Sequence, residues 1–210
     1  TNKVMQSVNP TAGSVNTDQL ATNAVTNVKM ADDAIGVSEL SATGTASSST
    51  FLRGDNAWAT AGGDNTPSFM ATMSGHQTVS ENTYVKVQFD TEVLDTDGCY
   101  DHSSNYRFTP NVAGKYLISL ANSIEKIGAG SQMSYAYSRI YKNGSSVFTS
   151  YSDYSANYGY AIQGTVSAII DFNGSSDYVE AYAYANTNDS ENIKILGVTY
   201  SNFYGVKIIT

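Results

Sequence analysis

The sequence predicts an all-β protein in two parts, an extended N-terminal region followed by an antiparallel sandwich. Three observations carry that expectation: a ten-residue repeat in the first region, alternation of apolar and polar side chains from Pro67 onward, and the near absence of any helical period. Composition agrees. Charged residues make up 14% of the 210 residues, well under the usual quarter, and the chain has 16 Tyr, 17 Gly and only 3 Pro.

The opening "TNKVMQSVNP" lacks the apolar stretch of a secretory signal, and no apolar run is long enough to span a membrane. From there Val15, Val25 and Ile35 fall in one column of the repeat and Leu20, Met30 and Leu40 in another, with Ala21/Ala31 and Ala24/Ala34 in register. The intervening residues are Asn, Asp, Thr and Ser. So few apolar residues cannot offset about 1–2 kcal/mol of backbone entropy per ordered residue within one chain. Three chains side by side, each pointing both columns at a common axis, would bury them; a disordered linker is the other reading of the same composition.

This region, with "NAVTNVKMADDAIGVSELS" leading into "GTASSSTFLRGDNAWA", resembles the short repeats of bacteriophage tail-fibre and related virion fibre proteins. The resemblance implies a fibrous shaft passing into a terminal domain. Arg53-Gly54-Asp55 matches the integrin-binding tripeptide, but Gly-Asp is ordinary turn chemistry and the fibre context accounts for it.

In "YVKVQFD", Val85, Val87 and Phe89 share one strand face and Lys86, Gln88 and Asp90 the other. In "YVEAYAYA" the sizes reverse: Tyr178, Glu180, Tyr182 and Tyr184 lie on one face, Val179, Ala181, Ala183 and Ala185 on the other. Turn signals at Asp97-Gly98, Asn143-Gly144 and Asn173-Gly174 separate further strands such as "KYLISLA", "GTVSAIIDF" and "FYGVKII".

The pieces Phe89-Asp90, Tyr100-Asp101, Phe108-Thr109-Pro110, Gly114 and Tyr116, followed by "RIYKNG", "VSAIIDFNGSSDYVEAYA" and "TYSNFYGVKI", resemble the globular head of the complement first-component recognition subunit, a relative of tumour necrosis factor. The similarity spans about residues 68–210, with the family's Gly-Asp turn replaced by Gly174-Ser175-Ser176-Asp177. It implies a ten-stranded jelly roll that assembles as a homotrimer. A threefold head and a threefold shaft share one axis. On that picture the alanine face meets the opposing sheet, and the tyrosines meet neighbouring subunits or a ligand.

Three groups of residues are candidates for function. Tyr151, Tyr154, Tyr158 and Tyr160 in "SYSDYSANYGYA" offer flat faces and hydroxyls suited to a glycan, or else form trimer contacts. Asp95, Asp97 and Asp101, in an acidic run with Asp90 and Glu92, contain a fragment of a calcium loop, and some members of the resembled family bind calcium near the trimer axis. The run lacks the full loop pattern, so a solvated acidic face and no cofactor is the expectation. Catalysis has little support, since His76 and His102 sit in no metal or nucleophile motif and paired carboxylates cannot be read from sequence. Cys99 stands alone, excluding an intrachain disulfide. The net charge of -8 argues against nucleic acid.

The expectation is therefore a non-enzymatic homotrimeric appendage on a virion surface. Residues 1–16 anchor it to another virion protein, residues 17–66 form the repeat shaft and linker, and residues 67–210 form the head, which contacts a host glycan or protein by avidity. Val15, Leu20, Val25, Met30, Ile35 and Leu40 are the expected shaft contacts. A secreted complement-like binding module or adhesin is the alternative, for which an export signal is expected.

Overall fold

The computed structural model describes the chain except for residues 1–10, 13–19, 21, 23, 27–29, 33, 61–64, 131, 157–158 and 209–210. Val15, Tyr158 and all of the expected anchor but Thr11 and Ala12 lie outside the described residues. The chain divides into two compact units, Thr1–Ala61 and Gly62–Thr210.

In the first unit the repeat is written into the backbone: bends fall at Leu20, Val25, Met30, Ile35 and Leu40, the apolar columns themselves. Local bonds tighten the turns between them, with the Ala34 N–H donating to the Ala31 carbonyl at 3.1 Å. A hairpin of β1 (Thr50–Leu52) and β2 (Trp58–Thr60) follows. Arg53-Gly54-Asp55 forms its turn: the Arg53 N–H donates to the Ala57 carbonyl at 2.9 Å, and the Arg53 and Asp55 side chains pair with each other at 3.1 Å.

The second unit is an antiparallel two-sheet sandwich. Its strands are β3 (Ser68–Thr72), β4 (Gln77–Val79), β5 (Val85–Lys86), β6 (Thr91–Asp95), β7 (Tyr100–Asp101), β8 (Arg107–Phe108), β9 (Gly114–Lys126), β10 (Met133–Lys142), β11 (Ser145–Asp153), β12 (Ala161–Phe172), β13 (Val179–Thr187), β14 (Ile193–Ile195) and β15 (Asn202–Lys207). One sheet runs β11-β10-β13-β8-β7 with β5 also on β13; the other runs β4-β14-β9-β15-β3-β6 with β12 also on β9. Strands distant in sequence interleave, β13 between β10 and β8 and β15 between β9 and β3, which is the strand order of a jelly roll. Against the ten strands that the resemblance implies, the described residues of this unit form thirteen, the short β4, β5 and β14 among them.

The turns are those the sequence announces. Asn143 and Gly144 both take positive φ, 51° and 79°, and join β10 to β11 in a two-residue hairpin. Gly174, at φ 72°, packs so closely that a Cβ there would lie 2.2 Å from the Ala113 nitrogen. "YVKVQFD" is the exception. Only Val85 and Lys86 join a ladder, because the Phe89 N–H donates to the Val87 carbonyl at 3.2 Å and turns the chain out of it. Val87 and Phe89 nonetheless reach the interior as the alternation requires.

Aromatic residues from both sheets fill one end of the core. Phe69 stacks on Phe108 at 4.3 Å and Tyr100 at 4.9 Å, and meets Phe203 edge-on at 5.0 Å. The buried Tyr100 hydroxyl donates to the Phe89 carbonyl at 3.1 Å. Cys99 is buried beside this cluster, and burial raises its thiol pKa. Ile124, Ile162, Met133 and the small Ala183 and Ala185 belong to the same core. Asn122 lies in this inner face of β9, opposite Gly164, with neither amide atom hydrogen-bonded in the protein.

Truncating Phe69 to Ala is expected to cost about 3–5 kcal/mol in denaturant unfolding, because it removes one ring from two contacts between the sheets and one within its own sheet. Asn122→Val is expected to act in the opposite sense. It removes a buried amide without partners, and stability rises by about 1–3 kcal/mol in the same assay.

Candidate functional site

Register explains where the tyrosines go. On β10 the side chains of Ala136, Ser138 and Ile140 point inward, so Tyr135, Tyr137, Arg139 and Tyr141 point outward. Pairing sets Tyr137 beside Tyr151 of β11 and Tyr184 of β13, and sets Arg139 beside Thr149 and Tyr182. The outer face of this sheet is thereby a patch of tyrosine rings: Tyr137 stacks on Tyr151 at 4.7 Å, Tyr135 on Tyr184 at 5.9 Å, and Tyr141 on Tyr182 at 4.1 Å.

The segment before β5 adds the last ring. Glu81 accepts hydrogen bonds from the Thr187 N–H and hydroxyl, both at 2.7 Å. Asn82, at φ 55°, donates its N–H to the Ala185 carbonyl, and its side-chain oxygen accepts from the Tyr184 hydroxyl at 2.9 Å and the Asn186 amide at 2.8 Å. Held there, Tyr84 lies 4.6 Å from Tyr184 and 6.0 Å from Tyr137. The Arg139 guanidinium sits over both Tyr84, at 4.3 Å, and Tyr137, at 4.8 Å.

Charge around the patch is unevenly satisfied. Lys86 pairs with the buried Glu180, and Asp153 accepts from the Tyr151 hydroxyl at 2.9 Å and the Ser155 N–H at 2.8 Å. Arg139 has no ion pair among the described residues, and its buried Nε has no hydrogen-bond partner. The hydrogen bond to Asp153 pushes the Tyr151 phenol up to about 12. Burial raises the Tyr84 phenol, with Arg139 acting the other way.

Of the sequence candidates, Tyr151 belongs to this patch and is 50% exposed. Tyr154 and Tyr160 have no ring contact with it among the described residues. The Tyr160 hydroxyl donates to Glu125 at 2.6 Å and its ring covers Lys126, both on the other sheet. Tyr84, Tyr135, Tyr137 and Arg139 were missed as site residues. The signal was the period-two run "YAYSRIY" within "MSYAYSRIYK", which matches "YVEAYAYA" across the sheet.

The acidic candidates are not brought together. The Asp95 carboxylate accepts from the N–H groups of Cys99, at 3.0 Å, and Tyr100, at 2.8 Å. Asp101 accepts from the N–H groups of Ser103, Ser104 and Asn105 and from all three of their side chains. Asp97 accepts only from Thr96 at 3.3 Å. Each carboxylate serves its own turn, and among the described residues no three His, Cys, Asp or Glu side chains form a metal-holding group.

A concavity of about 140 Å³ lined in part by Ser74, His76, Gln88 and Asp90 is likewise satisfied internally. Asp90 accepts both the N–H and hydroxyl of Ser74 at 2.6 Å, and His76 Nδ1 accepts the Gly197 N–H at 3.1 Å. His102 pairs with Glu92 at 3.3 Å. No helix of the described residues is long and apolar enough to cross a membrane.

No protein-family model matches the chain, and no curated protein matches it. Solved structures do resemble it. The globular domain of zebrafish complement 1qA is 16% identical, with 68% of this chain and 97% of that chain covered and a TM-score of 0.48. The Eiger TNF of S. frugiperda is 10% identical, over 67% and 90% of the two chains, with a TM-score of 0.48. Murine APRIL at pH 5.0 is 11% identical, over 67% and 98%, with a TM-score of 0.46.

Hydrogen bonds from Ser104 and its neighbours hold the Asp101 carboxyl well below its usual range, although slight burial opposes them. A depressed carboxylate contributes stability that is complete above its unfolded pKa near 3.9 and is lost as the pH falls below it. The melting temperature is therefore expected to fall as pH drops below about 4. Asp101→Asn is expected to lower it by about 2–4 °C at neutral pH and to flatten the acid decline. An unchanged acid slope in the variant would remove Asp101 from this role.

Proposed function

We propose that this chain is a non-enzymatic structural subunit of a virion appendage, a phage fibre or decoration protein. Its homotrimeric jelly-roll head projects from the particle and binds the host surface. In this reading residues 1–16 engage another virion protein, the repeats make a short shaft, and the protein resides at the particle surface. It needs no cofactor, and neither nucleic acid nor membrane insertion enters its work.

The observation that carries the reading is the exposure of the repeat's apolar columns: Leu20, Val25, Met30 and Ile35 are 42% to 54% exposed in a single chain, each at a bend of the backbone. Such a segment gains little by ordering alone, whereas three copies about one axis bury both columns.

The head supports the same reading independently. On the sheet opposite the tyrosines, cross-strand rows bring Leu94, Met70 and Tyr204 together, and Val206, Leu117 and Ile169, all on the outward face. Ile169 is 59% exposed there. A sandwich with an apolar outer face on one sheet and a tyrosine patch on the other has one surface suited to sister subunits and one suited to a ligand.

Light scattering on the full chain at low micromolar concentration tests this. The expected mass is near three times 22.4 kDa. Placing charge in the columns with Val25→Asp and Ile35→Asp is expected to weaken the trimer while the β-sheet circular dichroism of the head persists. A monomeric wild-type chain would overturn the shared-axis reading.

A further inference from the structure

We propose that the tyrosine patch binds a short saccharide bearing a carboxylate, with Arg139 receiving the carboxylate and the rings of Tyr84, Tyr137 and Tyr151 supporting the sugar. The inference rests on the adhesive reading given above and names the chemistry of its ligand.

Three features of the patch select that class. First, Arg139 is a cation held in place with no ion pair among the described residues, on a protein of net charge -8 in which the neighbouring Lys86 is neutralised by Glu180. A guanidinium fixed by two rings, at 4.3 and 4.8 Å, keeps its fork available for a bidentate carboxylate at little cost in side-chain entropy.

Second, the carboxylate that would compete for it is occupied elsewhere. Asp153 lies opposite Tyr135, four residues along β10 from Arg139, and is bonded to Tyr151 and Ser155. Third, the surroundings are uncharged groups that both donate and accept, namely the tyrosine hydroxyls, Thr149, Asn82 and Asn186, as sugar hydroxyls require. The overall negative charge disfavours a long polyanion, so a single carboxylate on a short oligosaccharide is the match.

The test is a titration of the full chain, followed by tyrosine resonances in NMR and by calorimetry. The probes are sialyllactose and an aldobiouronic acid, each with a single carboxylate and each as the free acid and as its carboxylate methyl ester. At least one free acid is expected to bind, with its ester about tenfold weaker, the weight of one charge-assisted contact. Arg139→Gln is expected to bring the acid down to the level of the ester. Tyr151→Ser, at an exposed position on β11 where the fold tolerates change, is expected to weaken acid and ester alike.

Equal affinity for acid and ester, an Arg139→Gln variant that melts like wild type and binds unchanged, or no binding of either acid to the intact chain overturns the proposal. Light scattering on the same samples separates this from the appendage reading. A trimer that binds neither acid loses the ligand and keeps the shaft, and a monomer that binds an acid does the reverse.

Discussion

The head depends on how closely its two sheets approach along β10, β12 and β13. The inward residues there are small: Ala136 and Ser138 on β10, and Ala181, Ala183 and Ala185 on β13. Gly164 of β12 marks the tightest point, since a Cβ at that position would lie 2.4 Å from the Ser138 hydroxyl. Where these small residues lie, the opposing sheet comes close, and Ile140, Val179 and Phe108 supply the larger inward side chains of this sheet. Outward, alternation places Tyr135, Tyr137 and Tyr141 on β10 and Tyr182 and Tyr184 on β13. The patch is thus the other side of a packing constraint, and its rings support one another because no opposing sheet covers them.

That constraint also explains what the sequence disclosed and what it hid. The reversed sizes in "YVEAYAYA" were legible, as were the Asn-Gly turns and the alternation of the long strands, because each is a local pattern with one geometric outcome. The site was less legible. Tyr84, Tyr137, Tyr151 and Tyr184 come from four segments, gathered by the register of β10 with β11 and β13 and by the bonds that hold Asn82 on β13. Local density pointed instead to "SYSDYSANYGYA", where Tyr160 crosses to the other sheet and pairs with Glu125. Density along the chain records composition; proximity on a sheet records pairing.

The acidic run left two readings open for a related reason. "DTDG" has the residue types of a cation loop, but a carboxylate at the start of a tight turn also accepts the N–H groups that the turn leaves unpaired. Asp95 and Asp101 both do so, at the two ends of a segment with few other acceptors. Side-chain type is common to both uses, and only the direction in which the oxygens point distinguishes them. Arg139 presents the converse case. It is inconspicuous in "YSRIYK", yet it lies over two rings of the patch with no ion pair among the described residues.

The two proposed assemblies make each other useful. A patch built from a few rings and one guanidinium binds a short saccharide weakly, since its contact area is small and one charge-assisted contact accounts for only about a factor of ten. Such a site is poor equipment for a solitary domain. Repeated three times on a common axis, and again on every copy carried by a particle, the same contact becomes effectively intramolecular after the first encounter, and attachment strengthens by orders of magnitude without any new interaction. In the proposed trimer, the repeat that leaves Val25 and Ile35 exposed in a single chain would supply the multiplicity that so modest a site requires. Weak binding per head then has its own advantage, because each contact remains reversible while the whole stays attached.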